Sequence, residues 1–500
     1  MSNVPQDLRE FIAILDSRND LVRVDGADWD IEIGTLNELM AEKQGSALLF
    51  DNIKDYPAGF RLATNVLHRA DRQKIAFGIP EGLGDFEAVR YWKEKWDKFV
   101  PLPPVVVDRG PVLENVMAGD DVDILKFPSP RWHEFDGGKY IGTGVVTITK
   151  DPSEGWINLG TYRVMVHDKT TVSFYASPGK HASIMREKYW AQGKDCPVVM
   201  CFGCQPLVLG SATMAMPWGF PELDLVGYMQ GKPVEVIIGK ETGLPIPASA
   251  EVVIEGFSPP PEVDARPEGP FGEWTGYYAS GKRDVPVVHI KRVYFRDKPI
   301  IHGQPPIKPP VNSFYPIPVH TASILWTELQ KLGLQGIKGV YVHGPGGRVI
   351  GVISLKQRYL GHAKAVGSLA GALLVGGSCT GRYIITVDDD IDAGNLDEVL
   401  WAVCTRANPE TSIDIVPGFL SSPLDPTIPP EKRERRDFTT AKVFINACRP
   451  YHWKDSFPSV NVASLETREK VMKKFAGLFQ SCEKAKGNRS FQSRLVQETR

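Results

Sequence analysis

Leu8, Phe11, Ile12 and Leu15 recur at helical spacing, so the chain opens with an amphipathic helix. Short apolar runs at 47–50 and 62–66 predict strands, and the Trp-, Tyr- and Lys-rich stretch 89–99 predicts a helix. Pro101, Pro103 and Pro104 then break the pattern and mark a boundary. From about 105 to 315 the character changes. Strand-like runs at 142–149, 162–167, 198–202, 234–239, 251–257 and 287–295 are separated by Gly and Pro clusters, the pattern of a β-rich sandwich or barrel. A proline-rich stretch at 304–318 closes it. Helix and strand alternate beyond 320: helices at 321–332, 362–374 and 396–405, strands at 339–343, 349–355 and 383–387. A last helix is predicted at 466–479, with a polar tail from about 485. The reading is an α+β multidomain chain: an N-terminal α/β domain (1–104), a β-rich domain (105–318), an α/β domain (319–470) and a C-terminal helix and tail (471–500).

Charge narrows the function classes. With 58 Lys and Arg against 60 Asp and Glu, the net charge of −2 leaves no footprint for nucleic acid or an anionic membrane. No apolar run reaches a membrane span; the best, 368–377, is too short and too glycine-rich. The polar, proline-containing start does not read as a signal peptide. Seven cysteines, an odd number at scattered positions, fit a reduced cytoplasmic setting better than a disulfide framework.

The most unusual local sequence is Glu268-Gly269-Pro270-Phe271-Gly272-Glu273, followed by Trp274 and Tyr277. No helix runs through Gly-Pro-Phe-Gly, so the backbone turns tightly and can bring both carboxylates to one site. Close like charges raise one pKa, so one acid can hold a proton near neutrality. A solvated turn is the plain alternative, which the flanking aromatics weaken. Arg163 stands in an apolar, strand-like run, where it needs an anionic partner or lies on a solvated face. His181 and Glu222 taken singly read as a structural histidine and a surface acid. Cys201 and Cys204 read as buried thiols, because no second pair stands at zinc spacing. The acidic string 388–392 lacks calcium-loop spacing and reads as a strand-end loop, and 344–347 is not a phosphate loop.

Taken together these segments resemble the UbiD family of prenylated-flavin-dependent decarboxylases. The resemblance runs through Asp136 to Ile141, Asn158 to Asp168, Glu268 to Tyr277, Asp389 to Asp392 and Trp401 to Arg406. It implies a split-barrel-like flavin-binding domain over 105–318 and oligomerisation, as a homodimer or higher, through the later α/β domain and terminal helix. It implies that Asn158, His181 and Glu222 ligate Mn2+ or Mg2+, which holds the phosphate of prenylated FMN. Oxygen donors with one imidazole suit such a metal. K+ or Na+ would lie beside it, at Ser211, Ala212, Met214 and Glu222, with Arg406 closing that end. Arg163 and Met214 would also touch the cofactor. Arg163, Glu268 and Glu273 match the family's Glu-Arg-Glu network. Arg163 would hold the substrate carboxylate, Glu268 would support it, and Glu273 would deliver the proton that replaces CO2.

Lys180 stands where some relatives have glutamine. It either reads an extra negative group on the substrate or pairs with a nearby acid. The expected substrate is a small carboxylic acid: benzoate-like, phenolic, heteroaromatic or acrylic. The expected helper is a flavin prenyltransferase that supplies the cofactor. Two other functions fit parts of the pattern. An FMN-dependent oxidoreductase explains a phosphate site but leaves the trio without a purpose. An inactive cofactor-binding subunit predicts a changed Arg163 or Glu273, and both are present.

Overall fold

The computed structural model describes residues 4–309, 317–344, 348–374 and 379–478. Residues 310–316 of the proline-rich stretch, residues 345–347 of the glycine run and the polar tail lie outside the described residues. The four apolar positions near the start place the first helix, Leu8–Ser17, with Leu8, Phe11, Ile12 and Leu15 all buried. Asp7 caps it, accepting from the Glu10 amide at 2.7 Å.

A four-stranded sheet follows. Leu21–Asp25 runs parallel to Ala47–Asp51, which pairs antiparallel with Arg61–Thr64. Its fourth strand, Ile300–His302, comes from far along the chain and lies parallel to Arg61–Thr64. A single apolar core therefore runs from Phe50 and Leu62 through Trp132 and Tyr140 to Phe202 and Ile254. The chain packs as two compact units: Met1–Glu81, Asp97–Ile317 and Pro423–Pro430 form one, and Gly82–Trp96, Pro318–Ser422 and Glu431–Arg500 the other.

The first unit also holds an antiparallel sheet, in the order Thr171–Ser173, Arg283–Phe295, Val252–Ser258, Cys196–Phe202, Val145–Lys150, Ile157–Gly160. Its described strands trace an open path, so it is not a closed barrel. The run expected at 142–149 is two strands, Tyr140–Gly142 and Val145–Lys150. Between them Gly144 lies so near the His302 carbonyl that a Cβ would come within 2.7 Å of its oxygen. Three helices lie in this mostly β region: His181–Trp190, Pro206–Ala212 and Glu222–Gln230.

In the second unit, five strands order as Ile337–His343, Ile350–Leu355, Tyr383–Asp388, Thr439–Ala447 and Ile413–Leu420. The two inner pairings around Tyr383–Asp388 are parallel and the two outer ones antiparallel. The acidic string begins as that strand ends, as expected of a strand-end loop. Helix Asp85–Asp97 starts before the stretch expected at 89–99 and ends two residues short of it, and the Val89 carbonyl accepts from the Ser323 hydroxyl at 3.0 Å. The last helix spans Leu465–Lys474. Among the described residues no helix is long and apolar enough to cross a membrane.

Gly34 lies within helix Glu32–Glu42, where alanine is ordinarily the better residue by about 1 kcal/mol. Here a Cβ would stand 1.8 Å from the Trp132 carbonyl oxygen, so overpacking of about 1–3 kcal/mol outweighs the gain. Gly34→Ala is therefore expected to lower the melting temperature; an unchanged or higher value would mean that the Trp132 backbone yields freely.

Candidate active site

Strand Ile157–Gly160 ends, and residues 161–163 form an irregular link before Val164–Met165 pairs with Tyr140–Gly142. The strand expected at 162–167 is thus cut short, and Arg163 stands in the irregular link before it. Strand Ala265–Glu268 ends at Glu268. Gly269 follows with φ +85°, a left-handed conformation that suits glycine, and the Gly269–Pro270 peptide is cis. The turn is clamped from the other side. The Gly137 amide donates to the Pro270 carbonyl at 2.9 Å, and a Cβ on Gly137 would lie 2.0 Å from the Gly269 oxygen. A second tight turn, in which the Gly276 amide donates to the Glu273 carbonyl at 2.8 Å, fixes Glu273.

These turns bring Arg163, Glu268 and Glu273 together. Arg163 Nε donates to Glu268 Oε1 at 2.7 Å and Nη2 to Glu268 Oε2 at 3.0 Å, a two-pronged pairing. Its Nη1 donates to Glu273 Oε1. The Tyr140 hydroxyl donates to Glu268 Oε1 at 3.0 Å, and the Phe271 ring lies 5.2 Å below the guanidinium. Both glutamates are buried. Burial works against an ionised Glu268, but the Arg163 hydrogen bonds and charge, with Tyr140, outweigh it and hold its pKa down. Glu273 is shifted the other way: burial raises its pKa, and the charge of Arg163 only partly offsets this. One acid is thus held ionised and its neighbour held toward the protonated form. Beside Glu273 opens a cavity of about 370 Å³, lined by Trp132, His133, Phe135, Tyr277, Tyr278 and Ile307.

A second cluster forms where strand Ile157–Gly160 meets two helix starts. Asn158 and Glu222 are each 2% exposed, and His181 opens its helix. Asn158 Oδ1 lies 3.0 Å from His181 Nδ1. A carbonyl oxygen only accepts, so the tautomer that suits this contact is the neutral one with the hydrogen on Nδ1, which leaves Nε2 its lone pair. Trp156 and Trp218 wall the imidazole at ring distances of 5.1 and 5.4 Å. Glu222 has one carboxylate oxygen buried without a partner, and burial pushes its pKa up to about 8. A cation there would satisfy both features.

Family models for the 3-octaprenyl-4-hydroxybenzoate carboxy-lyase match residues 12–87 (N-terminal domain), 105–309 (Rift-related domain) and 318–447 (C-terminal domain). The chain is also 32% identical over 464 residues to the pyrrole-2-carboxylic acid decarboxylase of Pseudomonas aeruginosa, covering 90% of this chain and 92% of that protein. The chain belongs to the UbiD family. Like its relatives it is a carboxy-lyase. The vanillic acid decarboxylase of Sedimentibacter hydroxybenzoicus, in its closed form, superposes with a TM-score of 0.83 at 28% identity, over 95% of this chain and 99% of that one. The UbiD-class enzyme HmfF of Pelotomaculum thermopropionicum, in complex with FMN, does so with a TM-score of 0.77 at 26% identity, over 92% and 98%. A related structure of that enzyme, an evolved dimeric form, carries prFMN.

The remaining residues implied by the UbiD resemblance fall as follows. Ser211 and Ala212 end the buried helix Pro206–Ala212, and the Ser211 carbonyl accepts from the Met214 amide at 3.1 Å. Lys180 is exposed immediately before His181, where its charge adds to burial in lowering the histidine's pKa. Arg406 belongs to the second unit, tied to Asp388 at 3.3 Å and to Asp390 at 2.8 Å. Cys201 and Cys204 are buried free thiols. Among the described residues no three His, Cys, Asp or Glu side chains gather as a metal site, so the Asn158 cluster depends on its amide. Sequence reasoning assigned no role to Tyr140, although it lies in the Asp136 to Ile141 segment.

Arg163→Met removes the cation bonded to both glutamates. Stranding buried charges costs about 3–5 kcal/mol. Without the guanidinium both folded-state pKa values rise above those of the unfolded chain, so this penalty is small at pH 5 and grows as pH rises toward 8. The melting temperature of the variant is expected to fall more steeply with rising pH than that of the wild type; parallel curves would refute the buried-charge account.

Proposed function

We propose that the chain catalyses reversible, non-oxidative decarboxylation of an aromatic, heteroaromatic or α,β-unsaturated carboxylic acid with prenylated FMN. The observation that carries this is the pair of glutamates on one guanidinium with proton affinities driven apart. The names of the relatives, decarboxylases of pyrrole-2-carboxylic, phenolic and vanillic acids, support the substrate class.

Arg163 donates three of its five N–H bonds to the glutamates, so two remain for the substrate carboxylate. Glu268 stays ionised and fixes the guanidinium plane. Glu273 enters the cycle protonated. As the bond to the carboxyl carbon breaks, CO2 leaves and Glu273 passes its proton to the ring or alkene carbon. Prenylated FMN, when bound, supplies the sink for the electron pair released in that cleavage. Run backwards, Glu273 takes the proton and the same steps form the acid.

Asn158, His181 and Glu222 would hold Mn2+ or Mg2+ for the flavin phosphate, which fits the unpartnered Glu222 oxygen and the free His181 Nε2. Ser211, Ala212 and Met214 would offer carbonyls to K+ or Na+. The reading includes a flavin prenyltransferase as cofactor supplier, a homo-oligomer and a cytoplasmic setting.

The test is CO2 release from a panel of such acids after co-expression with a flavin prenyltransferase, without NAD(P)H. Turnover that needs a reductant would instead support an oxidoreductase. Glu273→Gln is expected to keep bound flavin and lose roughly 10²–10⁴-fold in kcat; normal turnover would remove Glu273 as the proton donor. Because its pKa is raised, the acid form persists below that value, and kcat is expected to fall as pH climbs through it. His181→Ala should lose flavin together with activity, and full flavin occupancy in that variant would take His181 out of the metal site.

A further inference from the structure

A second guanidinium lies beside the Glu-Arg-Glu cluster. Arg283 begins the long strand Arg283–Phe295 and is the register partner of Glu268 on the neighbouring strand. Directly paired residues of an antiparallel ladder project from the same face, so Arg283 and Glu268 rise from one side of the sheet. Arg283 Cζ sits 3.8 Å from the centre of the Tyr175 ring. Stacking of this kind fixes the guanidinium plane and leaves its edge donors free. Two of them, Nε and Nη2, are buried with no hydrogen-bond partner. That pair forms the side-on edge of arginine that takes both oxygens of a carboxylate. In Arg163 the same edge is already filled by Glu268.

We propose that the Nε/Nη2 edge of Arg283 is the principal docking point for the substrate carboxylate. Arg163 then contributes only its two remaining N–H groups. This deepens the proposed function and rests on it for the identity of the anion as a substrate. The charges agree. With Glu268 ionised and Glu273 protonated, the two arginines leave one positive charge, which a monocarboxylate neutralises. Both glutamates also feel the field of Arg283. An unpaired buried guanidinium edge costs stability, so an anion that fills it binds with a corresponding gain.

The test is calorimetric binding of benzoate and of uncharged benzamide to flavin-loaded enzyme, which needs no turnover. Arg283→Met is expected to weaken benzoate binding at least tenfold, with benzamide affinity and flavin content unchanged. Arg283→Lys keeps the charge without the fork and should weaken benzoate several-fold; it also serves if the methionine variant does not fold. Lys282→Met, which removes an exposed neighbouring cation, should bind benzoate like wild type. Unchanged benzoate affinity in both Arg283 variants, equal losses for benzoate and benzamide, or no benzoate binding by wild type would each overturn the inference. Arg283-dependent binding without turnover of any acid would sink the proposed function alone. Normal turnover with Arg283-independent binding would sink only this inference.

Discussion

The site depends on keeping a guanidinium charged where water is scarce. Arg163 does so by facing two carboxylates, one across a two-pronged edge and one across a single bond. An isolated ion at that depth would neutralise or force the structure open. The surrounding architecture serves this arrangement. Residues 161–163 leave the strand pattern instead of continuing it. Gly137 presses backbone on backbone against the Gly269 turn, and Tyr140 spends its hydroxyl on Glu268.

The two glutamates stand five residues apart and differ in proton affinity through their neighbours alone. Glu268 has three donors on its carboxylate: two from Arg163 and one from Tyr140. Glu273 has only the end of the same arginine and lies against an aromatic-lined cavity. Hydrogen bonds to the charged form win at the first, and desolvation wins at the second. A tight glycine-proline turn is what allows one arginine to reach both.

Much of this was legible because apolar spacing reports burial on one face. The first helix, the long central strands and the alternating elements beyond 320 follow from it. The two acids were legible from their motif, since Gly-Pro-Phe-Gly between them forces a turn, whereas Arg163 joined them only through the UbiD resemblance. Less visible were the helices carrying His181 and Glu222. Glu222–Gln230 is buried on most sides and so shows no apolar stripe. Strand Ile413–Leu420 is exposed along most of its length and is held by pairing with Thr439–Ala447, so no alternation announces it. Arg283 was passed over because a basic residue at a strand start looks ordinary until its buried, unpartnered edge is seen.

The strand Ile300–His302 closes a sheet that opens at Leu21. Arg9 likewise reaches across 242 positions to pair with Glu251. During synthesis the edge of Arg61–Thr64 must therefore wait, on the order of tens of seconds at ribosomal speed, for its last neighbour to emerge. A nascent chain in that interval shows an open ladder of amides and carbonyls, the kind of surface that other chains pair with. Non-local pairing of this kind is intrinsically slow, because the loop must close before its contacts form.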